Sequence, residues 1–140
     1  MKKLRELFGG KRKPVLPVAA TMKKEPGNIY VLRINGVLNK TTVDRIQTVA
    51  AQEIEQGTKN LKLLVILSGF EGWSSGDSWG DIDFFARYGN DIVKIAAVGE
   101  AKWREQMLLF MFDGRRRGEV RYFASDEEPL ARIWLVSQRR

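Results

Sequence analysis

The sequence predicts an α/β domain: a mostly parallel five-stranded sheet with an antiparallel hairpin at one edge, covered by about four helices. Three observations predict it. After residue 40, apolar runs of strand length alternate with helical apolar stripes, the pattern of parallel strands joined by crossovers. Near the start, the turn-forming run Glu25-Pro26-Gly27-Asn28 separates two strand-like segments and folds them into a hairpin. Leu61–Leu67 is nearly continuously apolar, as a central strand covered on both faces requires.

The elements follow in order. Val15–Met22 reads as the first strand and Ile29–Asn35 as the second. Pro14 and Pro17 cannot donate ladder hydrogen bonds, so the first strand belongs at a sheet edge. Thr41 with Asp44 resembles a cap for a helix reaching Gln56, with Val43, Ile46, Ala50 and Ile54 as its apolar stripe and Gly57 as its stop. After Leu61–Leu67, a glycine- and serine-rich loop opens a helix over Asp77–Tyr88, which places Trp79, Ile82, Phe85 and Ala86 on one side. Ile92–Val98 is the next strand, followed by a helix over Ala101–Phe112 and a last strand over Glu119–Ala124. Ser125 with Glu128 resembles a capping box for a final helix that tolerates Pro129 in its first turn and packs through Leu130, Ile133 and Trp134.

The 140 residues suit one domain over residues 15–140, preceded by an arm over residues 1–14. The chain has neither Cys nor His, which removes disulfides, thiolate nucleophiles, the commonest general base and the commonest metal ligand. Its net charge of +7 is local: residues 1–24 hold eight Lys or Arg against one Glu, and the remaining residues hold sixteen of each sign. A basic arm suits an anionic membrane surface, where each Lys or Arg contributes roughly 1 kcal/mol, and Leu4, Leu7 and Phe8 fall on one helical face of it. A solubilising terminus is the simpler reading. No nucleic-acid motif accompanies the charge, so nucleic acid is not an expected partner. No segment reaches the roughly 20 apolar residues of a bilayer span, and Pro14–Ala20 makes a poor signal sequence, so the expected compartment is the cytoplasm.

Candidate sites cluster in two places. The first is the loop with Gly69, Gly72, Gly76 and Gly80, which lacks the Lys-Ser/Thr ending of a P-loop and the dinucleotide spacing. Glu71, Asp77, Asp81 and Asp83 lie in or near it, but acidic residues in a first helical turn are favoured by the helix dipole alone. With no nucleophile–base pair in the chain, no catalytic residue, metal site or cofactor is expected. The second is apolar: Trp73 and Trp79 flank the loop, and Trp103, Met107, Phe110 and Met111 form a helical stripe. Met107–Phe112 is six apolar residues in a row, which wraps around a helix and cannot all face one sheet. A neighbouring helix, a second copy, a protein partner, an apolar ligand or a membrane surface would cover the remainder. Arg115, Arg116 and Arg117 follow between two glycines and read as a solvated turn.

Four motifs in this order carry a family resemblance: GFEGW at Gly69–Trp73, AAVG at Ala96–Gly99 followed by Trp103, VRYF at Val120–Phe123, and ARIWL at Ala131–Leu135. Over roughly Gly27–Val136 the chain resembles the SpoIIAA-like family of STAS-type domains. The resemblance implies a helix-covered sheet and a binding or interaction role. In partner-switching STAS proteins an Asp-Ser-Ser-Gly motif carries a phosphorylated serine; the matching residues here are Trp73-Ser74-Ser75-Gly76, which makes Ser74 the carried-over position and Ser75 the second. Trp73 replaces the aspartate, and the simpler reading of these serines is a helix cap. The family's likeness to CRAL-TRIO lipid-transfer domains implies a lipid-like ligand, for which Trp73, Trp79, Trp103, Met107, Phe110 and Met111 are the candidate lining.

Overall fold

The computed structural model describes residues 20–76, 87–111 and 118–137. Its sheet has five strands in sequence order: β1 (Ala20–Glu25), β2 (Ile29–Leu38), β3 (Leu61–Trp73), β4 (Ile92–Gly99) and β5 (Glu119–Ala124). β1 pairs antiparallel with β2, and β2 to β5 are all parallel. Three α-helices fall among the described residues: α1 (Lys40–Glu55), α2 (Arg104–Phe110) and α3 (Glu128–Val136). The expected helix over Asp77–Tyr88 lies largely outside the described residues; Arg87 and Tyr88 are helical.

The alternating register of the strands separates two cores. On one face Met22, Leu32, Leu61, Val65 and Ile95 pack with Val43 and Ile46 of α1 and Met107 of α2. On the other, Val31, Leu64, Ala96 and Val98 pack with Ala131, Trp134 and Leu135 of α3. Leu61–Leu67 therefore feeds both cores at once, which accounts for its unbroken apolar run. β1 is an edge strand, and it reaches Glu25, paired with Ile29, so the hairpin turn is tighter than a strand ending at Met22 implies. Gly27 and Asn28 make that turn at φ of 85° and 61°. The part of the expected first strand before Ala20 lies outside the described residues.

Several boundaries differ from the sequence expectation for local reasons. α1 is capped by Asn39, whose side chain accepts from the Thr42 N–H at 2.8 Å, and Thr41 is already inside the helix. The expected helix over Ala101–Phe112 begins as a 3-10 turn at Ala101–Trp103 and becomes α-helical only from Arg104. At α3 the N-cap is Glu127, whose carboxylate accepts from the Ala124 N–H at 2.9 Å, in place of a Ser125 capping box. The buried face of α3 is Ala131, Trp134 and Leu135, while Leu130 and Ile133 are 53% and 64% exposed. Both triplets, 130/133/134 and 131/134/135, satisfy helical spacing, and docking on β3 and β4 selects the second.

Lys94 settles that docking. Its side chain is buried on the α3 face of β4, and its ammonium donates to the carbonyls of Trp134 and Ser137, each at 2.8 Å, and to Ser137 Oγ at 3.1 Å. A buried cation thus satisfies the carbonyl end of α3, where the helix dipole favours positive charge. The same ammonium lies 5.0 Å from the Trp134 ring, which Arg121 also approaches at 5.1 Å.

Candidate functional site

The expected loop after Leu67 is strand through Trp73. β2 also runs on to Leu38, and the two continue in parallel across register shifts that pair Gly36 with Phe70 and Leu38 with Trp73. Gly36, Gly69 and Gly72 adopt φ of 68°, 66° and 98°, conformations that side chains other than Gly seldom take, and these let the ladder absorb the shifts. The Ser74 N–H donates to the Leu38 carbonyl at 2.9 Å and closes the extension. Trp73 is thereby held on a strand.

Four aromatic rings gather there. Phe70 meets Trp73 edge-on at a centroid separation of 5.1 Å and Trp103 at 4.9 Å. Trp73 and Trp103 are 6.1 Å apart, and Phe110 lies 5.5 Å from Trp73. These are the separations and inclined geometries that aromatic quadrupoles favour. Trp103 comes from the 3-10 turn after β4, and its benzo ring lies against Gly72, where an added Cβ would sit 3.2 Å from Trp103 Cη2. Gly72 therefore serves both a positive φ and a close approach.

Beside this box, between α1 and α2, lies an apolar cavity over the centre of the sheet. Its floor is Leu32, Ile34, Leu63, Val65 and Ile95; one wall is Val43, Ile46, Gln47 and Ala50 of α1, and the other is Met107, Phe110 and Met111. With its solvent-open mouth the cavity encloses about 590 Å³. Gln47 is the one polar side chain in that lining. Phe110 belongs to both the cavity and the aromatic box.

The structure thus brings together Trp73, Trp103 and Phe110 in the box, and Met107, Phe110 and Met111 on the cavity wall. Trp79 lies outside the described residues, as do Arg115, Arg116, Arg117 and the arm over residues 1–14. Of the six-residue apolar run, Met107 and Met111 are buried and Leu109 is 69% exposed, so the run does wrap around its helix. Sequence reasoning missed Phe70, which sat in an expected loop, and the α1 wall, whose residues read as ordinary core stripe. The signal for Phe70 was the alternation of Phe70, Glu71 and Gly72 beyond the apolar run, buried, exposed and buried in turn.

Of the two serines, Ser75 is exposed and Ser74 half-buried. Glu71 is exposed on the strand, while Asp77, Asp81 and Asp83 lie outside the described residues. Among the described residues no group of three or more acidic side chains is placed to hold a metal ion. Among the same residues no helix is long and apolar enough to cross a membrane.

At the rim of the box Tyr122 donates to the Glu100 carbonyl at 2.6 Å. Burial pushes its phenol up to about 12, with the Glu100 charge adding to the shift. The same ring approaches Gly99, where an added Cβ would lie 2.7 Å from its oxygen and 3.0 Å from Leu67. This packing fixes the end of β4 from which Trp103 departs.

The architecture defines a mixed-sheet α/β domain with its aromatic cluster at the carboxyl ends of parallel strands, the end at which open α/β sheets carry ligand sites. The SpoIIAA-like family model matches residues 29–136, and the chain belongs to that family. Among solved structures it is similar to an uncharacterized protein of the DUF3478 family with a SpoIIAA-like fold from Shewanella loihica PV-4. The TM-score is 0.60 at 15% identity, covering 90% of this chain and 99% of that one. That likeness concerns the fold. A comparison with curated proteins gives no match.

Proposed function

We propose that this STAS-type domain is a non-enzymatic binding module whose cavity takes a small apolar or lipid-like ligand. The observation that carries the reading is the cavity between α1 and α2, lined by apolar side chains apart from Gln47 and bordered by a four-ring aromatic box. Concave apolar space with few polar groups is the usual form of a small-molecule site. Burial of ligand hydrocarbon there gains roughly 25 cal/mol per Å².

Native mass spectrometry of freshly purified full-length protein, repeated after denaturation, tests it. The expected result is a stoichiometric small-molecule adduct released on unfolding. Phe110→Ser should abolish the adduct while circular dichroism and thermal unfolding still report a folded domain. A bare protein that also fails to take up added apolar probes overturns the proposal.

The exposure of Ser75 at the exit from β3 favours a second reading, a phosphorylation-controlled protein-interaction switch at Ser74 or Ser75. A phosphate brings roughly −1.5 to −2 charges at neutral pH. Under this reading Ser75→Glu changes which proteins are captured from a native lysate, and an identical set of captured proteins sinks it. In either case the setting we propose is the cytoplasm, with the basic arm near an anionic membrane surface. Sedimentation with phosphatidylserine vesicles should then fall steeply as salt rises.

A further inference from the structure

We propose that the solvent face of α3 is the docking site of this chain's own basic arm, residues 1–14. Among the described residues five large apolar side chains are exposed, and three of them, Leu130, Ile133 and Val136, form one stripe on α3 at 53%, 64% and 57% exposure. The stripe lies opposite the buried Ala131, Trp134 and Leu135, so the sheet cannot cover it. Asp126, Glu127 and Glu128 open the helix, and Glu25 pairs with Arg132 beside it. An apolar strip that starts at an acidic turn selects a cationic, apolar partner and disfavours an anionic lipid surface. α3 is about 13 Å long and about 10 Å wide, far less area than the roughly 800 Å² per partner that a stable contact with a second copy needs.

The arm carries that chemistry in matching order. Counting back from Ala20, Lys13, Arg12 and Lys11 come first and Phe8, Leu7 and Leu4 follow, just as the acidic turn of α3 precedes Leu130, Ile133 and Val136. Leu4, Leu7 and Phe8 share one helical face, and residues 1–8 wound as a helix would be about 12 Å long, close to the length of α3. Placement agrees. Ala20 pairs with Ile34 toward the carboxyl end of β2, and α3 follows the carboxyl end of β5, so the arm and the acidic turn start from the same end of the sheet. From Phe8 to Ala20 the extended chain reaches about 40 Å, while the five-stranded sheet is about 19 Å from edge to edge. Tethering gives the arm an effective concentration in the millimolar range, so a contact of only millimolar affinity holds roughly half the molecules docked. The docked arm withholds Leu4, Leu7 and Phe8 from lipid, so α3 and an anionic membrane compete for it.

The chain has no Cys, so Gly10→Cys in the full-length protein takes a single nitroxide label, and paramagnetic broadening of the amide signals reads where the arm rests. The signals of Leu130, Ile133 and Val136 should lose roughly half their intensity or more, as a half-docked arm requires, while Leu61 and Ile92 keep theirs. Broadening that is absent, or confined to β1, overturns the proposal. Ile133→Glu adds an acidic group to an exposed position and should abolish the broadening of α3, whereas Leu109→Glu, at an equally exposed position on α2, should leave it; the same response to both overturns the proposal. High salt should reduce the broadening severalfold, because exposed charges are screened, and broadening that salt leaves untouched overturns the charge match and the proposal with it. Mixing spin-labelled chains with isotope-labelled chains that carry no spin label tests for a second copy: broadening seen only in the mixture assigns the arm to a neighbouring molecule and overturns docking within one chain. Thermal unfolding checks that each variant is folded, and Leu130→Glu replaces Ile133→Glu should the latter not fold.

Discussion

Replacing Lys94 by Met keeps the volume of the buried stem and removes only the ammonium. In the native protein that group donates at 2.8 Å to the carbonyls of Trp134 and Ser137 and at 3.1 Å to Ser137 Oγ. Hydrogen bonds from a charged donor contribute about 1.5–3 kcal/mol each, so the three together contribute roughly 4.5–9 kcal/mol. The favourable meeting of a cation with a helix carbonyl end adds up to about 2 kcal/mol in partly buried geometry. Against these stands the desolvation of the ammonium, several kcal/mol, which Met does not incur. The balance is a net loss of about 3 kcal/mol, or about 10 °C in melting temperature for a chain of this size. Urea unfolding followed by circular dichroism should show a lower midpoint with an unchanged slope, because the surface exposed on unfolding hardly changes. Native-state hydrogen exchange should locate the loss in the last turn of α3. A Met variant within about 0.5 kcal/mol of wild type would refute the reasoning, since desolvation would then cancel the whole capping contribution. The Arg132 pairs with Glu25 and Glu128 also tie down α3, at 2.8 and 3.0 Å, but they are partly exposed and contribute under about 1 kcal/mol each.

Three further outcomes follow from the same packing. Gly99→Ala brings a Cβ to 2.7 Å from the Tyr122 oxygen and 3.0 Å from Leu67, so it should cost about 1–3 kcal/mol in chemical denaturation and shift the Trp103 fluorescence, as a sheet end forced to move requires. Asn39→Ala removes the acceptor of the Thr42 N–H and should destabilise by about 1 kcal/mol, with Asn39→Asp restoring most of it. Tyr30 and Tyr122 are each pushed up to about 12 from 10.0 chiefly by burial, with the hydrogen bond to Glu53 adding to the shift at Tyr30 and the Glu100 charge at Tyr122. Below pH 10 folded and unfolded chains both hold these protons and the contribution is fully present. Between pH 10 and 12 the unfolded chain releases them first, so stability should fall with rising pH across that window. Tyr30→Phe and Tyr122→Phe should each flatten that fall in denaturation series read at successive pH values.

The sequence by itself determined the fold class, the succession of strands and helices and the hairpin edge, because period and punctuation are local properties. Leu61–Leu67 had to be covered on both faces, and Pro26-Gly27-Asn28 had to turn. It also singled out Trp73, Trp103, Met107, Phe110 and Met111, since large apolar residues in unusual density announce burial wherever they end up. What it left open depended on partners distant in the chain. Phe70 and Trp73 became strand residues because β2 continues past Gly36 and offers them a ladder, and no local propensity reports that offer. The face of α3 was undecided between two equivalent stripes until β3 and β4 met Ala131, Trp134 and Leu135 and Lys94 reached its carbonyl end. The cavity is the most tertiary feature of all: it is space left between α1, α2 and the sheet, and space has no residue to be read from.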